Sequence, residues 1–208
     1  MARAWEQRET SAARQQATVA LMDAAEQLLY EAGYAGVTTR RVAETAGVQH
    51  GLVHYYFGSM DELLTQTLER FVEQLAEPLE ALYSDPNMTF AEKWRVGAQF
   101  WVNEPTSRFP KILMELLAMG WNMPSRQQRL AEVHARFRAI FEQYFGRALQ
   151  DYGLDESEFP LKVIVAAVTT FQLGLIVEGL SSVTEGHHEL LDWIQQWLDA
   201  LEANRPLA

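Results

Sequence analysis

Arg40 and Arg41 stand side by side just inside what reads as the start of a short helix. Thr38 is the N-cap the pattern offers, so both cations fall in the first turn. Cations there oppose the helix dipole, which favours negative charge at that end. An external anion removes the conflict: a phosphate can sit on the free N–H groups while the arginines contact it or a neighbouring base. The plainer alternative is two solvated surface arginines. The next short segment favours the anion. Gln49, His50, Leu52, His54 and Tyr55 point away from the face that would pack. Gln and His can exchange hydrogen bonds with base edges, Leu52 can meet a thymine methyl, and Tyr55 offers a hydroxyl to phosphate. His54 and Tyr56 also have a plain packing role. The candidate set for contact with double-stranded DNA is therefore Thr38, Thr39, Arg40, Gln49, His50, Gly51, Leu52, His54, Tyr55 and Tyr56.

These residues need two short helices held at a fixed angle. Helices are expected at about 39–45 and 50–56, within the segment Val37 to Leu64. Ala43 is small enough for the two helices to touch. Gly47, four positions later, can take the left-handed turn conformation without steric cost. Val42, Ala46, Val48, Val53 and Tyr56 have the spacing of inward positions. A longer helix upstream, marked by Val19, Leu21, Met22, Ala25, Leu28 and Leu29, stops near Gly33 and supplies the third element. The pattern is a helix-turn-helix.

Other chemistries find little support. There are no cysteines, so disulfides, thiolate metal sites and cysteine nucleophiles are excluded. His187-His188-Glu189 suggests metal at first sight, but position 192, where a second zinc-helix histidine would stand, is Asp192. There is no Gly-x-Ser-x-Gly elbow and no phosphate loop. No enzyme, cofactor or metal is expected. The net charge of −11 argues against a general nucleic-acid coat. Its distribution matters more: residues 1–57 balance to −1 and residues 58–208 to −10, so the acidity sits outside the candidate DNA face. An interaction module that does not bind DNA is the rival that this acidity motivates. No signal core is visible, and the apolar stretch near 163–177 is interrupted by Thr169, Thr170 and Gln172, as in a buried helix rather than a membrane span.

The rest of the chain also has helical periodicity. Ser59 with Glu62 and Thr89 with Glu92 are capping boxes. Helices are expected from Ser59 to about 84, at about 90–103 and 108–120, from Pro124 to about 152, and at about 158–183 and 187–203. The fold class is all-α, with nine helices in two domains.

The segment resembles the DNA-binding region of the TetR family. The family pattern is carried by Ala24-Ala25 and Gly33-Tyr34, then Ala46-Gly47-Val48, Gly51, Tyr55-Tyr56-Phe57, Ser59 and Asp61. The close match covers about residues 14–64. Three positions depart from it: Gln49 stands where Ser is common, His54 where the first Tyr is common, and Met60 where Lys usually meets a phosphate. The loss of that cation puts one backbone contact in doubt. The resemblance implies an arm at 1–13 expected to be flexible, a DNA-binding domain at 14–58, and a ligand-binding and dimerisation domain at 59–208. It implies a cytoplasmic repressor, released from a palindromic operator when a small-molecule effector binds.

The family also implies a cavity in the body and a homodimer through the last two helices. Phe90, Trp94 and Trp101 fall on one helical face, with Phe100, Phe109, Met114, Met119, Trp121 and Met123 nearby in sequence. Aromatic and methionine-rich walls suit a broad apolar ligand, although an ordinary core stripe reads the same way. Trp94, Phe100, Trp101, Met114, Trp121, Phe171 and Glu178 are the candidate ligand contacts. Glu178, the one acid in an apolar helix, either faces a cavity or points to solvent or across a dimer. Ala166, Ala167, Gly174 and Gly179 allow close approach of a partner helix. Leu190, Leu191, Trp193, Ile194, Trp197, Leu198 and Leu201 make the last helix too apolar for a solvated terminus.

Overall fold

The computed structural model describes the backbone of residues 2–102, 108–121 and 124–205, and their side chains except at 2–11, 100–102, 109, 120, 121 and 124–126. Among the described residues there are nine α-helices and no strand. They are α1 Ala2–Ala32, α2 Thr39–Ala46, α3 Gly51–Phe57, α4 Met60–Ser84, α5 Phe90–Val102, α6 Arg108–Trp121, α7 Pro124–Asp151, α8 Leu161–Leu180 and α9 His187–Ala203, with one 3-10 turn at Tyr34–Gly36. Two expectations need correction. The arm expected at 1–13 is part of α1, whose helical backbone starts at Ala2. The penultimate helix starts at Leu161, later than the expected 158: Pro160 lacks an N–H and caps it, and the Asp155 carboxylate accepts from Ser157 N at 2.7 Å to hold the chain in a turn.

The chain forms two compact units. One is Met1–Val72 with Lys111–Gln128; the other is Glu73–Pro110 with Arg129–Ala208. The division falls inside α4 rather than at residue 58, and most of α6 joins the N-terminal unit.

In the N-terminal unit, Leu21, Leu28 and Leu29 of α1, Val42 and Ala43 of α2, Val53 and Phe57 of α3, Leu63, Leu64 and Leu68 of α4, and Ile112 and Leu116 of α6 are all buried. The repeat of these positions at three and four residues is what makes the segments helical and gives each one a packed face. A charged contact lies within this apolar packing. Arg70 of α4 pairs with Asp23 at 2.8 Å and with Glu26, both on α1. Glu26 is buried, and the guanidinium stabilises its charge there.

The second unit is built round aromatic rings. Tyr83, Phe90, Phe141 and Phe145 meet with ring centroids 5.0–6.0 Å apart. Burial pushes the Tyr83 hydroxyl well above its ordinary pKa. The Thr89–Glu92 box is reciprocal: Thr89 N donates to Glu92 Oε2 at 2.7 Å and Glu92 N to Thr89 Oγ1 at 3.2 Å. At Ser59 the hydroxyl accepts from Glu62 N at 3.1 Å. α9 is held to α5 by Arg95 on Asp199 at 3.0 Å and by Gln195 Nε2 on the Ala91 carbonyl at 3.2 Å.

Replacing Arg70 by Met is expected to destabilise the protein by about 3 kcal/mol, because it takes a guanidinium away from the buried Glu26 carboxylate. The urea midpoint measures this. A loss below about 0.5 kcal/mol would show that solvent screens the pair.

Candidate nucleic-acid interface and effector cavity

Backbone chemistry fixes the angle between α2 and α3. Thr38, extended at φ −124° and ψ 153°, accepts from Arg41 N at 3.3 Å through Oγ1 and starts α2. Gly47 ends it in the left-handed region at φ 67° and ψ 29°. Gly47 N and Val48 N then close on the carbonyls of Glu44 and Ala43 at 3.2 and 3.0 Å. α3 begins two residues later than Gln49, buries Val53 and Phe57, and turns the other side outward. Gln49, His50, Gly51, His54 and Tyr55 are exposed, and Tyr55 has 73 % of its surface free. Leu52 and Tyr56 are half-buried, with the Arg14 guanidinium 5.8 Å above the Tyr56 ring.

His54 is tied to the end of its own helix and stays exposed. Its Nδ1 lies 3.1 Å from the Gly58 carbonyl. A carbonyl only accepts, so Nδ1 carries the hydrogen, and in the neutral ring Nε2 is an acceptor. The residue thus caps the end of α3 and keeps a second polar atom on an exposed side chain.

The arginines part company. Arg41 reaches back to donate to the Gly36 carbonyl at 2.7 Å, securing the turn before α2. Arg40 lies in the exposed first turn, and its Nε meets Glu44 Oε1 at 2.7 Å. Hydrogen bonding to Arg40, the dominant effect, holds the Glu44 carboxyl below its ordinary pKa. The dipole conflict expected at Arg40 is therefore offset from within the helix, and an external anion would compete with Glu44 rather than fill a void. Thr38 is committed to the cap, and Thr39 is half-buried.

A contact 81 residues away in sequence supports the turn before α2. Glu115 of α6 accepts from Tyr34 N at 2.8 Å, and Lys111 lies 5.1 Å from the Tyr30 ring centroid. Gly33 has φ 65° and ψ −179°, a conformation open essentially to glycine. A Cβ there would stand 2.9 Å from Glu115 Oε1. Nothing local in the sequence announces this contact.

Two apolar spaces among the described residues of the second unit are large enough for a small ligand. The first, about 230 Å³, is bounded by α5, α7, α8 and α9 and includes Phe90, Trp94, Phe145, Phe171 and Trp197. The second, about 370 Å³, lies against Leu75, Pro78, Leu79 and Leu82 of α4, Val96 of α5 and Phe137 of α7. Trp94 and Phe171, two of the ligand candidates, are brought together. Met114 lies instead in the N-terminal unit. The side chains of Phe100, Trp101, Phe109 and Trp121, and all of Met123, lie outside the described residues. Glu178 lines neither space: its carboxylate is exposed and meets His187 Nε2 at 2.7 Å, so its candidacy as a ligand contact is corrected.

Exposed apolar residues gather on α8 and α9. Val163, Ala167, Thr170, Gly174 and Val177 repeat at four and three residues along one exposed stripe of α8, and Leu190, Trp193 and Trp197 are exposed on α9. Among the described residues α8 is also the helix long and apolar enough to cross a membrane, with a mean hydropathy of 1.9.

An all-α chain with a glycine-turned helix pair presenting polar and aromatic side chains is the architecture of a helix-turn-helix regulator. Residues 21–67 match the bacterial regulatory proteins of the tetR family. It is 33% identical over 89 residues to the HTH-type transcriptional regulator BetI of Brucella anthropi; the match takes in 43% of this chain and 44% of that one. The chain thus spans less than half the length of this curated relative. Its fold is similar to that of a putative TetR-family transcriptional regulator from Rhodococcus sp., with TM-score 0.72 and 17% identity over 90% of this chain and 98% of that one. It is also similar to the multidrug binding protein EbrR complexed with malachite green, with TM-score 0.59 and 20% identity over 93% and 98% of the two chains.

Replacing Gly33 by Ala is expected to cost about 1–3 kcal/mol, from backbone strain and loss of the Glu115 contact. Thermal melting checks this. An unchanged midpoint would mean that the turn accepts a different conformation.

Proposed function

We propose that this chain is a cytoplasmic transcriptional repressor that binds a palindromic operator as a homodimer and leaves it when a small, largely apolar molecule enters the helical body. The exposed face of α3 carries this reading. Gln49, His50 and Tyr55 stand clear of the packing between two glycine turns, where stability alone gives no reason for them, and His54 stays exposed while its Nδ1 caps α3. An α-helix in the major groove can read base edges with such residues. His54 Nε2, as an acceptor, suits the amino group of cytosine or adenine. Gly51 lets the helix start approach closely, while Thr38, Thr39, Leu52 and Tyr56 supply the edges of the surface. It acts by binding rather than by catalysis.

The α8 and α9 faces support the dimer. Small residues on α8 permit a close helix crossing, and Trp193, 66 % exposed, needs a cover. A second copy, related by a two-fold axis, offers the same stripe in return. α4 supports the effector response: it is one continuous helix that begins beside α3 and ends among the residues of the apolar spaces. A ligand that prefers one pose of α4 shifts the DNA-competent population by its difference in affinity for the two poses.

Light scattering is expected to give about twice the 23.7 kDa monomer mass. Trp193→Asp is expected to yield monomers with much weaker binding to palindromic DNA; a monomeric wild type that still binds a palindrome would overturn the interface.

Operator binding can be followed by fluorescence anisotropy on the DNA upstream of the coding sequence. Arg40→Ala is expected to weaken it roughly ten- to hundredfold if the guanidinium meets a base edge. A phosphate contact instead weakens all sequences alike and lowers the salt slope by about one. Unchanged affinity and slope would leave Arg40 as Glu44's partner alone.

A further inference from the structure

A chain with a net charge of −11 needs cations on the surface it offers to DNA, because the phosphates repel the remainder. Between residues 12 and 57 there are three arginines and no lysine: Arg14, Arg40 and Arg41. Two of them already have partners. Arg40 meets Glu44, and Arg41 reaches back to the Gly36 carbonyl. Position 60, where the resemblance expects a lysine on a phosphate, holds Met60. Arg14 differs from the other two. Its side chain is exposed, and among the described residues its contact is with an aromatic ring and not with a carboxylate or a carbonyl.

That contact gives Arg14 a place. Its guanidinium carbon lies 5.8 Å from the centroid of the Tyr56 ring. Tyr56 is half-buried on α3, and its ring meets that of the exposed Tyr55 with centroids 5.0 Å apart. The face of a tyrosine ring attracts a cation, so α1 holds a charge against α3, the helix whose outer side carries Gln49, His50 and Tyr55. The N–H donors of a guanidinium match phosphate oxygens two at a time.

We infer that Arg14 binds one backbone phosphate at the flank of the groove that α3 enters, and that Tyr56 is the residue that positions it. The inference rests on the operator reading above and adds to it a phosphate contact from outside the helix-turn-helix. A base edge is the rival ligand. Arg14 comes from α1 and lies against the half-buried Tyr56, not beside Gln49 and His50 at the outer start of α3. A cation at the side of a helix seated in a groove faces the sugar–phosphate strand, whereas the outer face of that helix meets the bases.

Arg14→Ala and Arg14→Lys are titrated as full chains against the upstream duplex and against a scrambled one, at several salt concentrations. Arg14→Ala is expected to weaken both duplexes by the same factor, about fivefold at about 0.15 M salt, the contribution of one released counterion. The slope of log affinity against log salt should fall by about one. Arg14→Lys, which keeps the charge, should keep the slope. On a Tyr56→Leu background Arg14→Ala should cost less affinity than on the wild type, because no ring holds the cation there; an equal cost would remove the positioning role of Tyr56. Unchanged affinity and slope on both duplexes would leave Arg14 a solvated residue and overturn the inference. A loss confined to the upstream duplex would assign it to a base, and a loss without change of slope to the packing of α1 on α3; either result overturns the phosphate contact. The wild type separates this contact from the reading beneath it. Equal affinity for both duplexes, with a slope that depends on Arg14, would uphold the phosphate contact and remove the operator. A wild type that binds neither duplex would remove both.

Discussion

One guanidinium sets the register of the N-terminal unit. Arg70 lies largely inside the protein between α1 and α4, with Asp23 and Glu26 as its anions. Apolar packing alone tolerates small slips of one helix along another. A buried carboxylate does not, because moving it away from its counter-charge costs more than any single apolar contact. The pair therefore fixes where α4 begins relative to α1. α2 and α3, eight and seven residues long, need that fixed frame, since helices so short are marginal in isolation. Glu115 adds a second constraint on the turn before α2. The frame thus joins apolar packing to polar contacts between segments distant along the chain.

The body follows a different logic. Its core is made of rings in contact, edge to face between Tyr83 and Phe141 and between Phe90 and Phe145, with ion pairs such as Arg95–Asp199 at its exposed edges. Such a core leaves gaps, because large flat side chains rarely fill space completely. The apolar spaces near Trp94 and near Pro78 are of that kind. Pro78 adds a weakness of its own in α4: its nitrogen cannot donate to the Gln74 carbonyl, so that helix lacks one rung where it meets the second space.

Features governed by near neighbours could be read from the sequence. Thr38, Gly47, Ser59 and the Thr89–Glu92 pair act over three or four residues, and the structure has them as caps and turns at the expected places. The helix count and order followed from periodicity for the same reason. What escaped were partners distant along the chain. The dipole argument treated Arg40 and Arg41 alike, yet one meets Glu44 and the other the Gly36 carbonyl. Glu178 could be read as facing a cavity, solvent or a dimer partner, and its exposed carboxylate meets His187 of the next helix. Arg70 with α1, and Glu115 with Tyr34, join segments whose patterns say nothing of each other. The boundary within α4 was equally hidden, since a continuous helix carries no mark of where one core ends.

The division of labour on α3 has an evolutionary consequence. Val53 and Phe57 carry the helix's attachment, and His54 closes its end, so these positions are constrained by folding. Gln49, His50 and Tyr55 make no described contact that the fold requires apart from the Tyr55–Tyr56 ring contact. A lineage carrying this scaffold could exchange those three residues in almost any combination and keep a folded protein. New recognition preferences would then arise by drift across neutral intermediates, without compensating changes elsewhere. The same freedom makes these three positions the natural ones to randomise in a library intended to redirect the protein to a chosen sequence.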